Sequence, residues 1–322
     1  MIRKQRGAFA SGYLLILCAA ILWGLIGMIS KGIFAEGISA LEVAFWRALL
    51  GGGLFVAHAA AQRRLVLSRR LDALPLAGFA VVGVSLFYAS LILAIDTGGI
   101  SLAFILLYTA PLFVIVAAWL VLGERLTTHK LVLAPLALVG ITLVSIGGGL
   151  GIVANATSIF WGLVAALTYA SYYIFGKLFL ERYRPVTIYA WVLPIGAACL
   201  FPFVSFAPKS AAAWGLLALL AIFSTYLAYL VYYTGLARVE ASRAVLVATA
   251  EPVVAVALAA LLFGERFGAL GMAGAGLILA TAVLASLPSW RRQTEPQFES
   301  RQDRFLESAG SDTQSLDPPG RP

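Results

Sequence analysis

Long apolar stretches alternate with short polar loops along most of the chain. Each apolar stretch holds about 20 mainly apolar residues, the length that an α-helix needs to cross the hydrocarbon core of a bilayer. The pattern predicts ten transmembrane helices, at 12–33, 39–60, 73–95, 100–122, 130–149, 157–179, 187–207, 212–235, 243–263 and 267–287.

The loops between the stretches are short and leave no room for a soluble catalytic domain. The composition agrees, because 61% of the residues are apolar and only 12% are charged, whereas soluble proteins carry about 25% charged residues. So few charges cannot cover the surface of a soluble globule. Residues 290–322 break the pattern, since they are polar and rich in Gln, Ser, Glu, Asp and Pro. They are predicted to form a disordered tail.

The basic residues indicate how the chain is oriented. With the N-terminus inside, the loops on that side carry sixteen Lys and Arg, whereas the other side carries only Lys31, Lys209 and Arg266. Cytoplasmic loops of membrane proteins are enriched in Lys and Arg. Both termini are therefore predicted to be cytoplasmic, in a multi-pass protein of the cytoplasmic (inner) membrane. The net charge of +8 is spread over many loops, which argues against nucleic acid as a partner.

The sequence indicates no metal, cofactor or nucleotide site. Cys18 and Cys199 lie in apolar stretches and are interpreted as small hydrophobic residues. His58 and His129 are far apart, and neither stands beside a cysteine or a pair of carboxylates. There is no phosphate-binding loop, so ATP is not expected as the direct energy source.

Two of the apolar stretches resemble each other. The fourth reads SLAFILLYTAPLFVIVAAWLVLGER from Ser101, and the ninth reads SRAVLVATAEPVVAVALAALLFGER from Ser242. At a constant offset of 141 residues the matching pairs are Ser101 with Ser242, Ala103 with Ala244, Pro111 with Pro252, Gly123-Glu124-Arg125 with Gly264-Glu265-Arg266, and, in the preceding stretches, Tyr88 with Tyr229. A shared proline and Gly-Glu-Arg at one spacing are improbable as a chance alignment, so an internal repeat is predicted.

The two repeats are predicted at 1–150 and 151–289, with the tail at 290–322. Each repeat holds five spans, and an odd number of spans makes the second repeat start from the opposite side of the membrane. The predicted fold is an all-α membrane protein with ten transmembrane helices in two inverted five-helix repeats. Many secondary transporters use inverted repeats to build two oppositely facing states around a site near the bilayer midplane. We therefore expect a carrier that works by alternating access, with a small-molecule substrate and the lipid bilayer as its partners.

The sequence also resembles a known family. The paired Ala, mid-helix Pro and terminal Gly-Glu-Arg, together with Trp23-Gly24 and Phe45-Trp46-Arg47, resemble EamA-type transporters of the drug/metabolite transporter superfamily. The resemblance spans residues 10–290. It implies a ten-helix carrier of small metabolites, because many members of this family export amino acids or related compounds. Because the family's substrates are diverse, drugs, sugars and nucleosides stay as alternatives.

Pro111 and Pro252 lie near the middle of their stretches at matching positions. Each lacks an N–H and so leaves a carbonyl one turn back without its helical partner. A packing kink is one interpretation, since membrane helices tolerate proline well. A kink that recurs at one depth in both repeats favours the other interpretation, that both prolines line the central pathway.

Glu251 is the one acidic residue deep in an otherwise apolar stretch. A charge near the bilayer centre costs about 2.5–3.5 kcal/mol on insertion scales, so this side chain is expected to face protein or water. Three roles fit it: carrying a proton, holding a substrate ammonium group, or hydrogen bonding to a neighbouring helix. Proton antiport, exchange and facilitated diffusion all stay open as modes of transport.

Glu42 and Arg47 lie in the outer part of the second stretch. Five residues correspond to about 140° around a helix, so the two side chains are poorly placed to pair with each other. Either they contact other helices or the membrane interface, or they form an outer gate or an anchor for a substrate carboxylate. The seventh stretch has no arginine to match Arg47.

Tyrosines recur at helical spacing in the sixth and eighth stretches, with Tyr169 and Tyr226 near mid-span. Such residues either pack in the protein core or line a cavity for a cation or an aromatic group. The full set of candidate substrate or coupling residues is Glu251, Tyr108, Tyr169, Tyr88, Tyr229, Trp191 and Arg47, with Pro111 and Pro252 along the pathway.

Other residues are assigned structural roles. Glu124 is expected to help terminate its helix. Lys31 and Lys177 end their stretches and are expected to extend to the lipid headgroups. The glycines within 271–276 suit close packing of helices.

Two further classes of protein fit part of the pattern. An intramembrane enzyme would use Glu251 as its acid, but the sequence has no HExxH, no GxSxG and no pair of acids within one stretch. We therefore expect no enzyme. A non-transporting scaffold or channel is the second class, and matched kinks in inverted repeats favour a carrier over it.

Overall fold

The computed structural model describes residues 2–147, 155–263 and 268–287. The predicted disordered tail at 290–322 lies outside these residues, as do Gly264, Glu265 and Arg266 of the second Gly-Glu-Arg. Within the described ranges every regular element is helical. The all-α prediction is therefore confirmed for this part of the chain.

Thirteen α-helices follow one another along the described part of the chain. They are α1 (Ile2–Phe34), α2 (Ala40–Ala61), α3 (Ala73–Phe79), α4 (Phe87–Leu107), α5 (Ala110–Leu122), α6 (Thr128–Gly147), α7 (Ala156–Leu180), α8 (Pro185–Leu200), α9 (Ala211–Ala221), α10 (Ala228–Leu236), α11 (Ala241–Ala248), α12 (Glu251–Phe263) and α13 (Ala269–Ser286). Two 3₁₀-helices, at Arg70–Asp72 and Phe201–Phe203, and two π-helices, at Ala80–Leu86 and Ile222–Leu227, complete the set.

Nine helical stretches among the described residues are long and apolar enough to cross a membrane. They are Ser11–Phe34, Ala40–Ala61, Arg70–Gly99, Leu102–Leu122, Thr128–Ile146, Ala156–Leu180, Pro185–Phe203, Ala211–Leu236 and Ala269–Ser286. The predicted span at 243–263 is not among them; in this stretch the described residues form α11 and α12.

The third and fourth predicted spans are joined by a tight turn. Helix α4 runs across it, and Gly99 adopts φ +80° and ψ 164° inside that helix. This backbone conformation is open to glycine and strained for residues with a Cβ atom. A single glycine therefore redirects the chain where the sequence predicts a loop.

The internal repeat is visible in the backbone. The π-helix Ala80–Leu86 in the first half has its counterpart in Ile222–Leu227, which is the place that the offset of 141 residues predicts to within one residue. π-Helices are rare and occur mostly as single turns within α-helices. The two-repeat architecture is confirmed by this shared irregularity.

The two repeats interleave and do not form separate domains. Residues Met1–Leu287 form one compact unit. The most extensive helix contacts pair α4 with α7, α1 with α10, α2 with α8, and α6 with α13. Each of these pairs joins an element of the first repeat to an element of the second.

Helices α6 and α13 approach each other most closely at two glycines. A Cβ atom at Gly274 would lie 2.5 Å from the carbonyl oxygen of Gly140, and one at Gly140 would lie 3.0 Å from the carbonyl oxygen of Gly274. A Cβ at Gly276 would meet nothing within 4 Å. Small residues that bring two backbones together are typical of helix contacts in membranes. The predicted glycine packing therefore involves Gly274 and not Gly276.

Contacts between loops fall into two groups. At one end, Lys209 pairs with Glu42, and the Asn155 side chain donates to the Thr97 carbonyl, 2.8 Å away. At the other end, the 62–72 segment contacts 182–187, and the 124–130 segment contacts 240–243. Each contact joins two loops that the charge pattern predicts on the same side of the membrane. The grouping supports the predicted sidedness of the loops.

Candidate functional site

Both repeats contain a broken helix at the same position. Helix α4 ends at Leu107 and α5 begins at Ala110, while α11 ends at Ala248 and α12 begins at Glu251. After each break the chain resumes with a hydrogen bond to a carbonyl three residues back: Leu112 N–H donates to Thr109, and Val253 N–H to Ala250. The two breaks are related by the offset of the repeat.

The two prolines stand at the start of the helices that resume. Pro111 and Pro252 are the second residues of α5 and α12. At this position a missing N–H is not needed for an intrahelical hydrogen bond, and the fixed φ of proline suits a helix start. The expected kinks are therefore present as short interruptions of the helix just before each proline.

Threonines at the breaks satisfy nearby backbone groups. The Thr109 hydroxyl donates to the Leu106 carbonyl and the Thr249 hydroxyl to the Leu246 carbonyl, each over 2.6 Å. Side-chain bonds of this kind replace backbone bonds that an interrupted helix loses. The breaks are thus ordered features with internal partners.

The two breaks lie next to each other. Tyr108, at the first break, packs in one cluster with Ile141, Ile278 and, partly buried, Val253, which follows the second break. The Tyr108 hydroxyl also interacts electrostatically with Glu251, the first residue of α12. Non-helical backbone at membrane depth is tolerated where it is buried in protein or lines a water-filled cavity.

Glu251 is half-buried and surrounded by polar groups of other helices. Its carboxylate interacts electrostatically with Arg47 and with the hydroxyls of Tyr108, Tyr169 and Tyr173. Among the described residues it makes no hydrogen bond to a side chain or backbone group. Its carboxylate therefore faces the interior and keeps its hydrogen-bonding capacity for a proton or a ligand.

Arg47 is a buried cation on α2. Its Nε donates to the Thr225 hydroxyl at 2.8 Å and its Nη2 to the Ser224 carbonyl at 3.1 Å. Both partners belong to the π-helix Ile222–Leu227. The guanidinium carbon also lies 5.8 Å from the centre of the Tyr88 ring, within the range of a cation–π contact. The predicted contact with another helix is present, and the guanidinium also reaches the charge of Glu251.

Aromatic rings fill the space around these two charges. Tyr229 stacks on Tyr172 with centroids 5.9 Å apart and planes at 2°, and on Tyr189 with centroids 4.5 Å apart. Tyr169 stacks on Phe87 at 5.3 Å. The rings come from both repeats, so the aromatic cluster joins the two halves.

Three hydroxyls in this cluster have no hydrogen-bond partner in the described part of the chain. They belong to Tyr172, Tyr189 and Tyr232, and all three are buried. Each of them lies close to another tyrosine hydroxyl: Tyr172 to that of Tyr229, Tyr189 to that of Tyr233, and Tyr232 to that of Tyr173. An unsatisfied buried polar group costs about 1–3 kcal/mol. A polar ligand in the cluster would recover part of this cost.

The structure brings together six of the seven candidate residues, whereas Trp191 and the mid-span Tyr226 lie elsewhere. Glu251, Arg47, Tyr88, Tyr108, Tyr169 and Tyr229 all belong to the cluster described above. In contrast, the indole of Trp191 donates to the Leu65 carbonyl at 3.0 Å, in the loop after α2. The Tyr226 hydroxyl lies 2.6 Å from Nδ1 of His58.

Some residues of the cluster were not among the sequence candidates. Tyr172 carries a usable signal, because it follows Tyr169 by three residues and so shares a helix face with it. Tyr189 is the only tyrosine of α8. Trp23, which packs against Tyr229 and Tyr232, is marked in the sequence only by the family resemblance. Their positions depend on how the two repeats pack, which a single sequence pattern does not contain.

A buried ion pair lies at the predicted outer end. Glu42, with no exposed surface, pairs with Lys209, which is 7% exposed. The carboxylate also accepts from the Trp46 indole at 3.2 Å and from the Ala207 N–H at 3.1 Å. Lys209 lies over the rings of Trp46 and Trp214 at 5.2 and 5.6 Å. We call these residues the outer contact set.

A second set of contacts lies at the predicted inner end. Glu124 accepts from the backbone N–H groups of Ala241 and Ser242 at 2.6 and 3.3 Å, and from the Ser242 hydroxyl. Lys130 pairs with Glu124 at 3.3 Å and with Glu240 at 3.1 Å. We call these residues the inner contact set. Glu124 therefore caps α11 of the other repeat, beyond its predicted role at its own helix end.

Lys177 differs from its prediction. Its ammonium group donates to the carbonyls of Leu236 and Val239 at 2.8 and 2.6 Å. These carbonyls lie at and just after the C-terminus of α10, where a cation is favoured by the helix dipole. The lysine is therefore a helix cap and does not extend to the headgroups.

Comparisons with known proteins agree with this architecture. The EamA-like transporter family model matches twice, at residues 10–146 and 156–287. The chain is 28% identical to the uncharacterized inner membrane transporter YicL of Salmonella typhimurium, over 89% of this chain and 98% of that protein. It is 31% identical to an uncharacterized transporter of Archaeoglobus fulgidus, over 62% and 72% of the two chains. A known crystal structure has the same fold, with a TM-score of 0.75 at 17% identity over 86% of this chain and 96% of the other.

Proposed function

The chain belongs to the EamA-like transporter family and is a multi-pass membrane transporter, and on this premise we propose that it exports a small metabolite by alternating access. The observation that carries the proposal is the pair of broken helices. They occur at matching positions of the two repeats and adjoin each other beside Glu251 and Arg47. Broken helices at the repeat interface are a common way for transporters to build a substrate site near the midplane.

The two contact sets support alternating access. The outer set, centred on Glu42 and Lys209, joins loops at one end of the bundle, and the inner set, centred on Glu124 and Lys130, joins loops at the other. Opening the site to one side requires one set to separate while the other persists. Each set links the first repeat to the second, so a rocking motion between repeats would break them in alternation.

The charges favour a zwitterionic substrate such as an amino acid or a related compound. Glu251 offers a carboxylate for an ammonium group, and Arg47 offers a guanidinium for a carboxylate. Tyr172, Tyr189 and Tyr229 stack on one another in this structure, and we propose that their faces contact an aromatic or cationic group when the site opens. Export is the direction that the family resemblance implies.

Proton coupling is part of the proposal. Glu251 is a half-buried acid within the membrane region, and ionisable residues at such depth commonly serve ion or proton pathways. A proton on Glu251 would remove the charge that holds a substrate ammonium. Proton entry would then favour substrate release, which makes proton antiport the coupling we propose.

Efflux from loaded proteoliposomes tests the proposal. The panel consists of amino acids and small amines, followed by sugars and nucleosides, with and without a pH gradient. We expect protein-dependent loss of a few amino acids or amines, accelerated by the gradient. Protein-dependent efflux of sugars or nucleosides alone would contradict the substrate class, and no efflux of any compound would contradict the carrier itself.

Glu251→Gln tests the coupling separately. The variant keeps the size of the side chain but cannot take up a proton, so we expect efflux to lose its dependence on the pH gradient. Glu36→Gln, at an exposed turn between α1 and α2, is the matched control and is expected to behave as the wild type. Unchanged efflux and unchanged pH dependence in Glu251→Gln would exclude Glu251 as the proton carrier.

A further inference from the structure

A groove rich in arginine lies at the predicted cytoplasmic end, away from the aromatic cluster. It has a volume of about 370 Å³, within the range of about 300–1,000 Å³ that small-ligand sites occupy. Four arginines line it: Arg63 and Arg64 from the loop after α2, and Arg182 and Arg184 from the loop before α8. Two loops that are distant in sequence therefore bring four cations to one concave surface.

The walls of the groove are held in place by hydrogen bonds. The Thr187 hydroxyl donates to the Arg64 carbonyl at 3.0 Å, and the buried Tyr183 hydroxyl donates to Asp72 at 2.7 Å. The Trp191 indole bonds to Leu65 in the same loop. These contacts fix the backbone of both loops and leave the arginine side chains to face the groove.

The groove keeps a net positive charge. Arg182 pairs with Asp72 at 3.1 Å, and one carboxylate, Glu181, also lines the surface. Within the described residues, Arg63, Arg64 and Arg184 form no ion pair. The groove therefore presents an excess of cationic donors to any molecule that enters it.

The backbone at Arg63 gives a second, independent observation. Arg63 has φ +55°, and it follows the C-cap of α2 with its N–H bonded to Ala60 and the Arg64 N–H bonded to Ala59. This is the hydrogen-bond pattern of a Schellman motif, in which glycine is usual at the left-handed residue. An arginine is strained there. Glycine would adopt this backbone conformation without strain. The geometry of the turn therefore does not explain why position 63 is an arginine.

We propose that this groove binds a phosphoryl group. Arginine presents several donors in a planar fork that matches phosphate oxygens, and clustered arginines are a common phosphate site. The same chemistry has two sources at this end of the molecule. One is the headgroup of an anionic lipid of the inner leaflet, which attracts basic segments near the membrane, and the other is a soluble phosphate compound.

Arginines just outside the groove provide the matched control. Arg69 and Arg70 belong to the same basic loop but do not line the groove. The double variant Arg69→Gln/Arg70→Gln removes the same charge as Arg63→Gln/Arg184→Gln. A site within the groove predicts different effects of the two double variants, whereas a diffuse basic surface predicts the same effect.

The experiment measures thermal unfolding of the purified full-length protein in a neutral detergent. The probes are inorganic phosphate against chloride at equal ionic strength, and short-chain phosphatidylglycerol against short-chain phosphatidylcholine. In the wild type we expect at least one of the phosphate-bearing anions, and not its control, to raise the unfolding midpoint in a saturable manner. We expect Arg63→Gln/Arg184→Gln to lose this rise and Arg69→Gln/Arg70→Gln to keep it.

Arg63→Gly separates binding from folding. Because glycine suits the left-handed backbone, we expect the midpoint without a probe to stay the same or to rise. The apparent Kd for the stabilising anion is expected to weaken by about tenfold, the effect of losing one charge-assisted hydrogen bond. A weaker Kd with an intact fold supports the site, and an unchanged Kd overturns the role of Arg63.

The two sources give different results. Stabilisation by inorganic phosphate indicates a soluble phosphate compound, and stabilisation by phosphatidylglycerol alone indicates a lipid headgroup. The proposal is overturned if neither anion stabilises the wild type beyond its control, or if the two double variants lose the rise equally. It does not depend on the transported substrate, so failed transport leaves it standing.

Discussion

Arg47 shows how one buried side chain links two parts of the molecule. It reaches from α2 to the π-helix Ile222–Leu227 through two hydrogen bonds, and its charge interacts with Glu251. A π-helix leaves backbone carbonyls in irregular positions, and here the Ser224 carbonyl is one of the acceptors. The π-helix of the second repeat therefore holds the guanidinium of Arg47 in place.

Arg47→Lys tests this arrangement at the residue scale. Lysine keeps the charge but lacks the planar fork, so it cannot reproduce both hydrogen bonds in one geometry. We expect the efflux rate to fall about tenfold or more, because a hydrogen bond to a charged group contributes about 1.5–3 kcal/mol. The thermal unfolding midpoint is measured in parallel, and a wild-type rate in a folded variant would contradict the role of the guanidinium.

Tyr189 provides a test in which stability and transport move in opposite directions. Its buried hydroxyl has no hydrogen-bond partner among the described residues, so Tyr189→Phe is expected to leave the unfolding midpoint unchanged or raise it. If the hydroxyl serves the substrate, efflux falls in the same variant. Tyr226→Phe, outside the cluster, is the control, and equal effects of both variants on efflux would argue against the proposed site.

The sequence identifies most residues of the candidate site, but it does not identify the residues that pack around them. Six of the seven substrate or coupling candidates lie in one cluster. Polar groups at mid-span avoid contact with lipid and therefore face the protein interior. Trp191 lies elsewhere, since its indole finds a carbonyl in a loop more than a hundred residues away in sequence. Tyr189 was missed because nothing in its own helix distinguishes it from a packing residue.

At the scale of elements, hydropathy predicts the spans but not their interruptions. The stretch 243–263 is apolar on both sides of Thr249 and Ala250, so a count of apolar residues cannot detect that α11 ends there. Pro252 marks the place, but a proline is compatible with a kink as well as with a break. The break becomes visible only because the backbone after it resumes a new helix at Glu251.

The contact between α6 and α13 gives a prediction at this scale. Gly274→Ala places a Cβ atom 2.5 Å from the Gly140 carbonyl oxygen, so the helices must separate. We expect a loss of about 1–3 kcal/mol in the free energy of unfolding, as is typical of overpacked sites. Gly276→Ala, with open space around the new Cβ, is expected to be neutral. Equal stability of the two variants would contradict the close approach of these helices.

At the scale of the whole molecule, loops of the first repeat contact loops of the second repeat at both ends of the bundle. The contacts between loops follow the two sides that the positive charges predict, although the charge pattern says nothing about which loops touch. Glu124 illustrates this, because its partners Ala241 and Ser242 are far away in sequence and belong to the other repeat. Contacts between the repeats at both ends of the bundle support the proposed alternating access.

The apolar surface of the bundle agrees with a membrane environment. Large apolar side chains lie exposed along several helices, among them Leu120, Met272 and Val283. Extended exposed apolar surface is unusual in a soluble monomer. The same surface is expected to contact lipid, which leaves the polar groups of Arg47 and Glu251 in the interior.

Alternating access is tested most directly by labelling one site cysteine from each side of the membrane. Tyr88→Cys is introduced after Cys18→Ala and Cys199→Ala, and an impermeant maleimide is applied from either side. Lys209→Met disrupts the outer contact set, and Lys130→Met disrupts the inner one, with the same change of residue. We expect Lys209→Met to speed labelling from the outside and slow it from the inside, and Lys130→Met to do the reverse. Equal changes on both sides in each variant would contradict a site that opens to one side at a time.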